Sequence, residues 1–173
     1  GLLGYRLIMT KDKLISRFSE IMQAEQLKRL SAGIPLTWAD AELFRYNNYK
    51  VVEKGSLDDL CILLKNGAFN LVSLGVNEVE QSFQQRALPL GGVSIEPSLM
   101  LSYPFPLLFY VNTGNPILAE RVSAGLNTIL HNGIFEQLFT KHYGQVVKRL
   151  NLRKRRIFTL SNPNLPAELL DFK

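Results

Sequence analysis

Two predicted helix starts in this chain carry side chains suited to holding a small polar solute. Thr37 and Trp38 stand at the first, and Gly75, Asn77 and Glu78 form the turn at the second. Free N–H groups and the positive end of the helix dipole favour a carboxylate or another anion there. Gly75 lets a ligand approach the backbone, Asn77 offers a donor and an acceptor, and Glu78 could meet a cationic group. The two turns therefore predict a ligand-binding site.

Aromatic residues could add a wall to this site. Tyr103 and Phe105 flank a proline in a later crossing of the chain. Each candidate also has a purely structural interpretation, and the sequence leaves both open. Thr37 and Asn77 could serve only as N-caps, and Trp38, like the other aromatic residues, could serve only in packing. The acid that follows Asn77 could simply offset the helix dipole.

The residues that carry enzyme chemistry do not form a catalytic pattern. His131 and His142 lie eleven residues apart, unlike a zinc pair, and no cysteine is near them. Cys61, the single cysteine, falls on the apolar face of a predicted helix, which indicates a core residue and excludes an intramolecular disulfide. The sequence contains no G-x-S-x-G elbow, P-loop or G-x-G-x-x-G motif. We therefore expect no enzyme activity and no metal or other cofactor.

The net charge of +5 is concentrated late in the chain. Six positive residues fall within nine positions: Lys148, Arg149, Arg153, Lys154, Arg155 and Arg156. Such a cluster could bind phosphates or an acidic membrane surface. Its other interpretation is a solvated helix end followed by a connecting strand, which suits the helix dipole. No zinc-finger, helix-turn-helix or RNP-like motif accompanies it, so we expect no nucleic-acid partner.

The elements that must position these residues alternate between strands and short helices. The 173 residues are 46% apolar and 20% charged, which is ordinary for a folded domain, and no run of eighteen apolar residues occurs. Segments 5–9, 49–53, 69–74 and 93–101 read as strands, with helical patterns between them. This alternation predicts an α/β domain with a largely parallel sheet and a ligand crevice at the strand ends. Beyond Ile157 we expect an extended, surface-lying tail.

The segment 107–144 has the most complete pattern. An apolar run at 107–111 reads as a strand, and Asn115 and Pro116 then supply an N-cap and a first helical residue. A helix with one apolar stripe follows, and Gly133 can end it in the left-handed conformation. A second short helix leads to Gly144.

That order resembles the carboxyl-terminal part of the type II periplasmic solute-binding proteins, in the polar amino acid transporter class. The matching residues are Asn115, Pro116, Leu118, Val122, Leu126, Ile129, Asn132, Gly133, Leu138, Lys141, Tyr143 and Gly144. The resemblance covers residues 5–144. It implies an α/β, type II periplasmic-binding-protein-like fold, with a mostly parallel sheet flanked by helices, that is incomplete because the N-terminal lobe is missing. It implies a second lobe at 5–104, a return segment at 105–147, and a basic, extended tail at 148–173.

The resemblance also implies a function. We expect part of an extracytoplasmic protein, periplasmic or extracellular, that captures a small polar solute, amino-acid-like or other, for an ABC-type permease. The alternatives are a sensing domain of a membrane signalling protein and an enzyme on the same scaffold. The missing lobe or a second copy would cover the 116–130 helix. In the family, an acidic residue of the second lobe binds the ammonium group of the ligand. The matching position in this chain is Gly75, with Asn77 and Glu78 two and three residues further on. The resemblance therefore leaves open whether the solute is a standard α-amino acid.

Overall fold

The computed structural model describes residues 2–166 and 169, and their larger unit is built on a seven-stranded sheet. The order is β3-β2-β4-β1-β6-β7, with β5 also paired to β1. The strands are β1 Tyr5–Lys11, β2 Ser31–Ile34, β3 Lys50–Glu53, β4 Leu71–Gly75, β5 Val93–Ile95, β6 Leu99–Ser102 and β7 Arg156–Thr159. This unit comprises Gly1–Pro106 and Leu150–Lys173, and Leu107–Arg149 forms a second unit.

The α/β class and the flanking helices are confirmed, but the sheet is mixed rather than largely parallel. β2 runs parallel to β3 and β4, and β6 runs parallel to β7. β1 is antiparallel to β4, β5 and β6. Strand–helix alternation predicts parallel pairing only for strands joined by a single crossover. The neighbours of β1 are distant from it in the chain, so that rule does not reach them.

Short helices cover the sheet. They are α1 Ile15–Ser19, α2 Ala24–Lys28, α3 Asp40–Tyr46, α4 Leu60–Lys65 and α5 Val79–Ser82, the last continued by a π-helical turn at Phe83–Ala87. Two predicted N-caps are wrong: α3 begins after Ala39 and α5 after Glu78, so Thr37 and Asn77 lie in the preceding turns. Cys61 is buried in the core as predicted, and burial raises the pKa of its thiol.

The segment after the second unit joins the sheet instead of lying on the surface. β7 pairs with β6, and Phe158 and Leu160 are buried. Arg155 anchors the entry to β7: its buried guanidinium donates to the carbonyl oxygens of Leu150, Glu96 and Leu99. Part of the basic cluster therefore has a structural role that neither sequence interpretation included.

The second unit consists of α6 Pro116–His131 and α7 Ile134–Arg149. The predicted cap is confirmed, because the Asn115 side chain accepts from the Leu118 N–H at 3.2 Å. Gly133 has φ +80°, as the predicted helix break requires. Gly144 does not end the second helix, since α7 continues for five more residues. Among the described residues no strand forms at 107–111, where Tyr110 is 90% exposed; a strand needs a neighbour for its backbone groups, and this segment has none.

The contact between Gly33 and Phe69 gives a stability test. A Cβ on Gly33 of β2 would lie 2.3 Å from ring atoms of the fully buried Phe69. We expect Gly33→Ala to lower the free energy of unfolding by about 1–3 kcal/mol in urea titrations followed by circular dichroism. Gly125→Ala is the control: its Cβ meets open space within α6, so it should gain about 0.5–1 kcal/mol. Equal stability of the two variants would show that Phe69 moves aside without cost.

Candidate functional site

The side chain of Arg6 lies at the centre of the candidate site and is only 3% exposed. Its Nη2 donates to Oδ1 of Asp40 at 2.8 Å, and its Nη1 donates to Oε1 of Glu78 at 3.0 Å. The rings of Tyr103 and Phe105 lie with their centroids 5.3 and 5.2 Å from its Cζ, within cation–π range. These five residues are called the Arg6 cluster. One buried cation is thus held by two carboxylates and two aromatic rings.

The two carboxylates are themselves fixed by further hydrogen bonds. The Tyr103 hydroxyl donates to Oδ1 of Asp40 at 2.5 Å, and the Gly75 N–H donates to Oε1 of Glu78 at 2.8 Å. Burial raises the pKa of Tyr103 well above its usual range, so this phenol stays a proton donor at neutral pH. Asp40 is nearly buried, whereas the Glu78 side chain is 35% exposed. Glu78 is therefore the acid of the cluster that solvent can reach.

The sheet explains why these residues meet. β2 and β4 are parallel, so their carboxyl ends lie at one edge, where α3 and the turn before α5 begin. β1 is antiparallel to β4, which puts its start at that same edge, with Arg6 opposite Gly75 in the register. On the other side of β1, Tyr5 pairs with Ser102, so Tyr103 follows directly. This is the edge at which open α/β sheets bind ligands.

The structure brings together only part of the predicted site. Gly75, Glu78 and Tyr103 belong to or contact the Arg6 cluster, as does Phe105. Trp38 is partly buried and packs against the hydrophobic core. Thr37 and Asn77 are exposed in the two turns, and the described residues show no hydrogen bond from either side chain.

Arg6 and Asp40 are the site residues that sequence reasoning missed. Arg6 lies on a strand whose next three residues are fully buried, and a cation there is itself an anomaly that demands a partner. From the sequence, Asp40 can be recognised only as an acidic residue near a predicted helix start. Their pairing spans 34 positions and depends on the antiparallel course of β1.

The turn that carries Thr37 is unusual in its backbone. Thr37 has φ +68°, a left-handed conformation that β-branched residues rarely adopt. Its N–H donates to Oε1 of Glu53 at 3.2 Å, and Oε2 of Glu53 accepts from Arg45 at 2.8 Å. The Arg45 hydrogen bond and then the Thr37 N–H lower the pKa of Glu53. The turn is thus held from the end of β3, and the exposed Thr37 side chain makes no hydrogen bond among the described residues.

In the described part of the chain, His, Cys, Asp and Glu residues form no group of three that could hold a metal ion. None of the described helices combines the length and the apolar character that a membrane span requires.

An open groove adjoins the Arg6 cluster through Phe105. Its lining is Ala39, Leu43, Phe105, Pro106, Asn162, Asn164 and Leu165.

Comparison with known proteins identifies the fold. No protein-family profile and no curated protein sequence matches the chain. Among solved structures, an ancestral arginine-binding protein bound to glutamine is similar (21% identity, TM-score 0.52, 81% of this chain and 60% of that chain). So is an arginine 3rd transport system periplasmic binding protein from Legionella pneumophila (15%, 0.53, 82% and 62%). A histidine kinase sensor domain with similarity to periplasmic binding proteins also matches (17%, 0.52, 81% and 59%).

The chain has the fold of the type II periplasmic amino-acid-binding proteins. It covers 59 to 62% of those three chains, which agrees with an incomplete domain. At these identities the likeness concerns the fold, and the residues of the Arg6 cluster must be judged on their own chemistry.

Two buried tyrosines provide a matched test of the cluster. The Tyr103 hydroxyl holds Asp40, whereas the buried Tyr49 hydroxyl has no hydrogen-bond partner among the described residues. We expect Tyr103→Phe to lower the free energy of unfolding by about 1–3 kcal/mol, because Asp40 loses a donor. Tyr49→Phe should be neutral or stabilising, by up to about 1 kcal/mol. Urea titrations measure both, and equal losses would contradict a specific role for the Tyr103 hydroxyl.

The left-handed Thr37 gives a second test. We expect Thr37→Gly to raise the free energy of unfolding, by up to about 1 kcal/mol, because glycine adopts positive φ without the Cβ clash. Asn48→Gly is the control, since Asn48 has φ +63° but asparagine tolerates that region. Thermal unfolding compares the two variants. A loss of stability in Thr37→Gly would mean that its side chain makes a stabilising contact.

Proposed function

We propose that this chain is part of an extracytoplasmic solute-binding protein that captures a small polar solute for an ABC-type permease. The observation that carries the proposal is that three segments meet at the Arg6 cluster: the start of α3, the turn after β4 and the segment after β6. Glu78 and the exposed side chains of Thr37 and Asn77 belong to the turns of that edge. Two of the similar solved structures are binding proteins, and one of these is named as periplasmic, which supports a non-enzymatic, solute-binding role and a periplasmic or extracellular location.

The division of labour within the chain is part of this proposal. Residues 5–104 would form the second lobe, and 105–147 would be the segment that returns to the other lobe. The apolar residues of α6 support this, because they are exposed: Ile117 is 70% and Leu130 56% accessible. Contiguous apolar surface of this kind marks an interaction site. The partner would be the N-terminal lobe or a second copy of the chain.

A sensing role is the second candidate. It is favoured by one specific observation, the similar histidine kinase sensor domain. In that case the solute would control a signalling module in the membrane rather than a permease. The two roles share the binding step and differ in the partner that reads the bound state.

Trp38 provides the readout for a binding test, because it is the only tryptophan of the chain and lies in one of the two turns. Its fluorescence would be followed during titration with amino acids, hydroxy acids, amides and sugars. We expect at least one solute to shift the emission, with a Kd weaker than micromolar if the chain is tested without its other lobe. Glu78→Gln should weaken that binding at least ~10-fold, about 1.4 kcal/mol, because the second turn loses its charged anchor.

Glu20→Gln is the matched control for this test. Glu20 is exposed at the end of α1, and its side chain makes no hydrogen bond in the described structure. Its replacement removes the same charge and should leave the affinity unchanged. A panel that shifts the emission of none of the proteins would overturn the solute-binding proposal, and equal effects of the two variants would remove Glu78 from the site.

A further inference from the structure

We infer that the 3₁₀ turn at Leu152–Lys154, together with the neighbouring Ile157, is a docking surface for an anionic lipid membrane. This inference goes beyond solute binding and does not depend on it. It gives a role to the exposed members of the basic cluster, which neither the fold nor the Arg6 cluster uses. It follows from the local charge, the hydrogen bonds of the individual cations and the exposure of Ile157.

The charge in this part of the chain is one-sided. Residues 137–167 contain seven lysines and arginines and no aspartate or glutamate. Four of the seven cations, Lys148, Arg149, Arg153 and Lys154, fall within seven positions. Like charges this close in the chain repel one another, so a nearby anionic surface lowers the free energy of the segment that carries them.

The structure separates the cations that stabilise the fold from those that do not. The buried guanidinium of Arg155 donates to backbone carbonyl oxygens, and Nη1 of the half-buried Arg156 donates to the carbonyl oxygen of Ile21. Arg153 and Lys154 are exposed, and no ion pair between described residues includes either of them. Two positive charges of the turn are therefore available to a partner in solution.

The backbone around the turn suits a broad surface better than a single small anion. Asn151 has φ +53°, and this left-handed residue leads the chain from the end of α7 into the turn. Leu150, just before it, is buried and holds the turn to the sheet unit. A free phosphate is commonly bound by converging backbone N–H groups, whereas the donors here are the long side chains of an exposed turn. Such donors suit the diffuse charge of lipid headgroups.

An exposed aliphatic side chain favours a lipid surface over a soluble polyanion. Ile157 lies on β7, an edge strand of the sheet, three residues after Lys154, and is 50% exposed. The aliphatic stems of lysine and arginine can lie along an apolar layer while their charges stay among the headgroups. An isoleucine beside them adds apolar area that a membrane interface can bury. A nucleic acid offers the charge without the apolar layer, and the sequence has none of the recognition motifs for it.

Co-sedimentation with vesicles tests this surface on the whole chain. We expect binding to phosphatidylcholine vesicles that contain phosphatidylglycerol, and little binding to phosphatidylcholine alone. The double variant Arg153→Gln/Lys154→Gln should bind at least ~10-fold more weakly, because each cation near an anionic membrane strengthens binding roughly fivefold. Binding that does not fall between low salt and about 0.15 M ionic strength would contradict an electrostatic contact.

Lys50→Gln/Lys54→Gln is the matched control. It removes the same charge from two exposed residues at β3, which is the edge of the sheet opposite to β7. Vesicle binding should stay close to that of wild type, because salt screening confines the attraction to charges near the membrane. Equal losses in the two double variants would show that net charge alone attracts the vesicles, and the inference would be overturned. Circular dichroism checks that every variant is folded.

Further measurements identify the source of the negative charge. Ile157→Thr keeps a β-branched residue on β7 but removes apolar area, so it should weaken vesicle binding roughly threefold or more. An unchanged affinity would overturn the assignment to a lipid surface. Millimolar inorganic phosphate should shift the Tm of wild type no more than that of the Arg153→Gln/Lys154→Gln variant. A larger shift in wild type would assign the turn to a free anion, and tighter binding of a DNA duplex than of the vesicles would assign it to nucleic acid.

Discussion

A buried positive charge, that of Arg6, determines how the loops at one edge of the sheet are arranged. Arg6 has almost no contact with water, and an uncompensated guanidinium in such a place would destabilise the fold by far more than a typical packing contact contributes. Compensation comes from Asp40 at the start of α3 and Glu78 after β4, so two loops that are distant in sequence must lie on either side of the start of β1. The same pairing that satisfies the charge also fixes the geometry of the edge. If the edge binds a solute as proposed, this preorganisation reduces the ordering cost of binding.

A second buried arginine shows what the Arg6 arrangement adds. Arg155 is also buried, and burial lowers the pKa of its guanidinium. It donates to backbone carbonyl oxygens, among them those of Leu150 and Leu99, and so ties the entry of β7 to the start of β6. Because these carbonyl oxygens are neutral parts of the backbone, the contacts of Arg155 suit a structural anchor. Arg6 is held instead by two carboxylates, and that of Glu78 is accessible to solvent. Glu78 is therefore a charged group at the edge of the sheet, and the positive charge of Arg6 beside it changes its affinity for other groups.

Some local signals were read correctly from the sequence, whereas contacts between distant parts of the chain were not. Asn115 and Gly133 act within one helical turn of themselves, so their roles as cap and break followed from residue type alone. Thr37 failed as a cap because its turn has a left-handed residue, which sequence does not show for a threonine, and α3 starts later. The strand at 107–111 failed because apolar composition does not supply a pairing neighbour. The candidate site divides in the same way: Gly75, Glu78 and Tyr103 were proposed from local patterns and stay a prediction, whereas the contacts of Arg6 depend on the antiparallel register of β1, which only the folded chain reveals.

The distinction matters for inferring function from the fold. One scaffold holds different solutes, because the solute is selected by a few side chains at the strand ends rather than by the sheet. What separates one solute from another at such an edge is the sign and accessibility of the charges that face it. In this chain a cation is already built into the wall, and Glu78 is the acid left within reach of solvent. A solute that binds this edge would be selected by these charged groups rather than by the likeness of the fold.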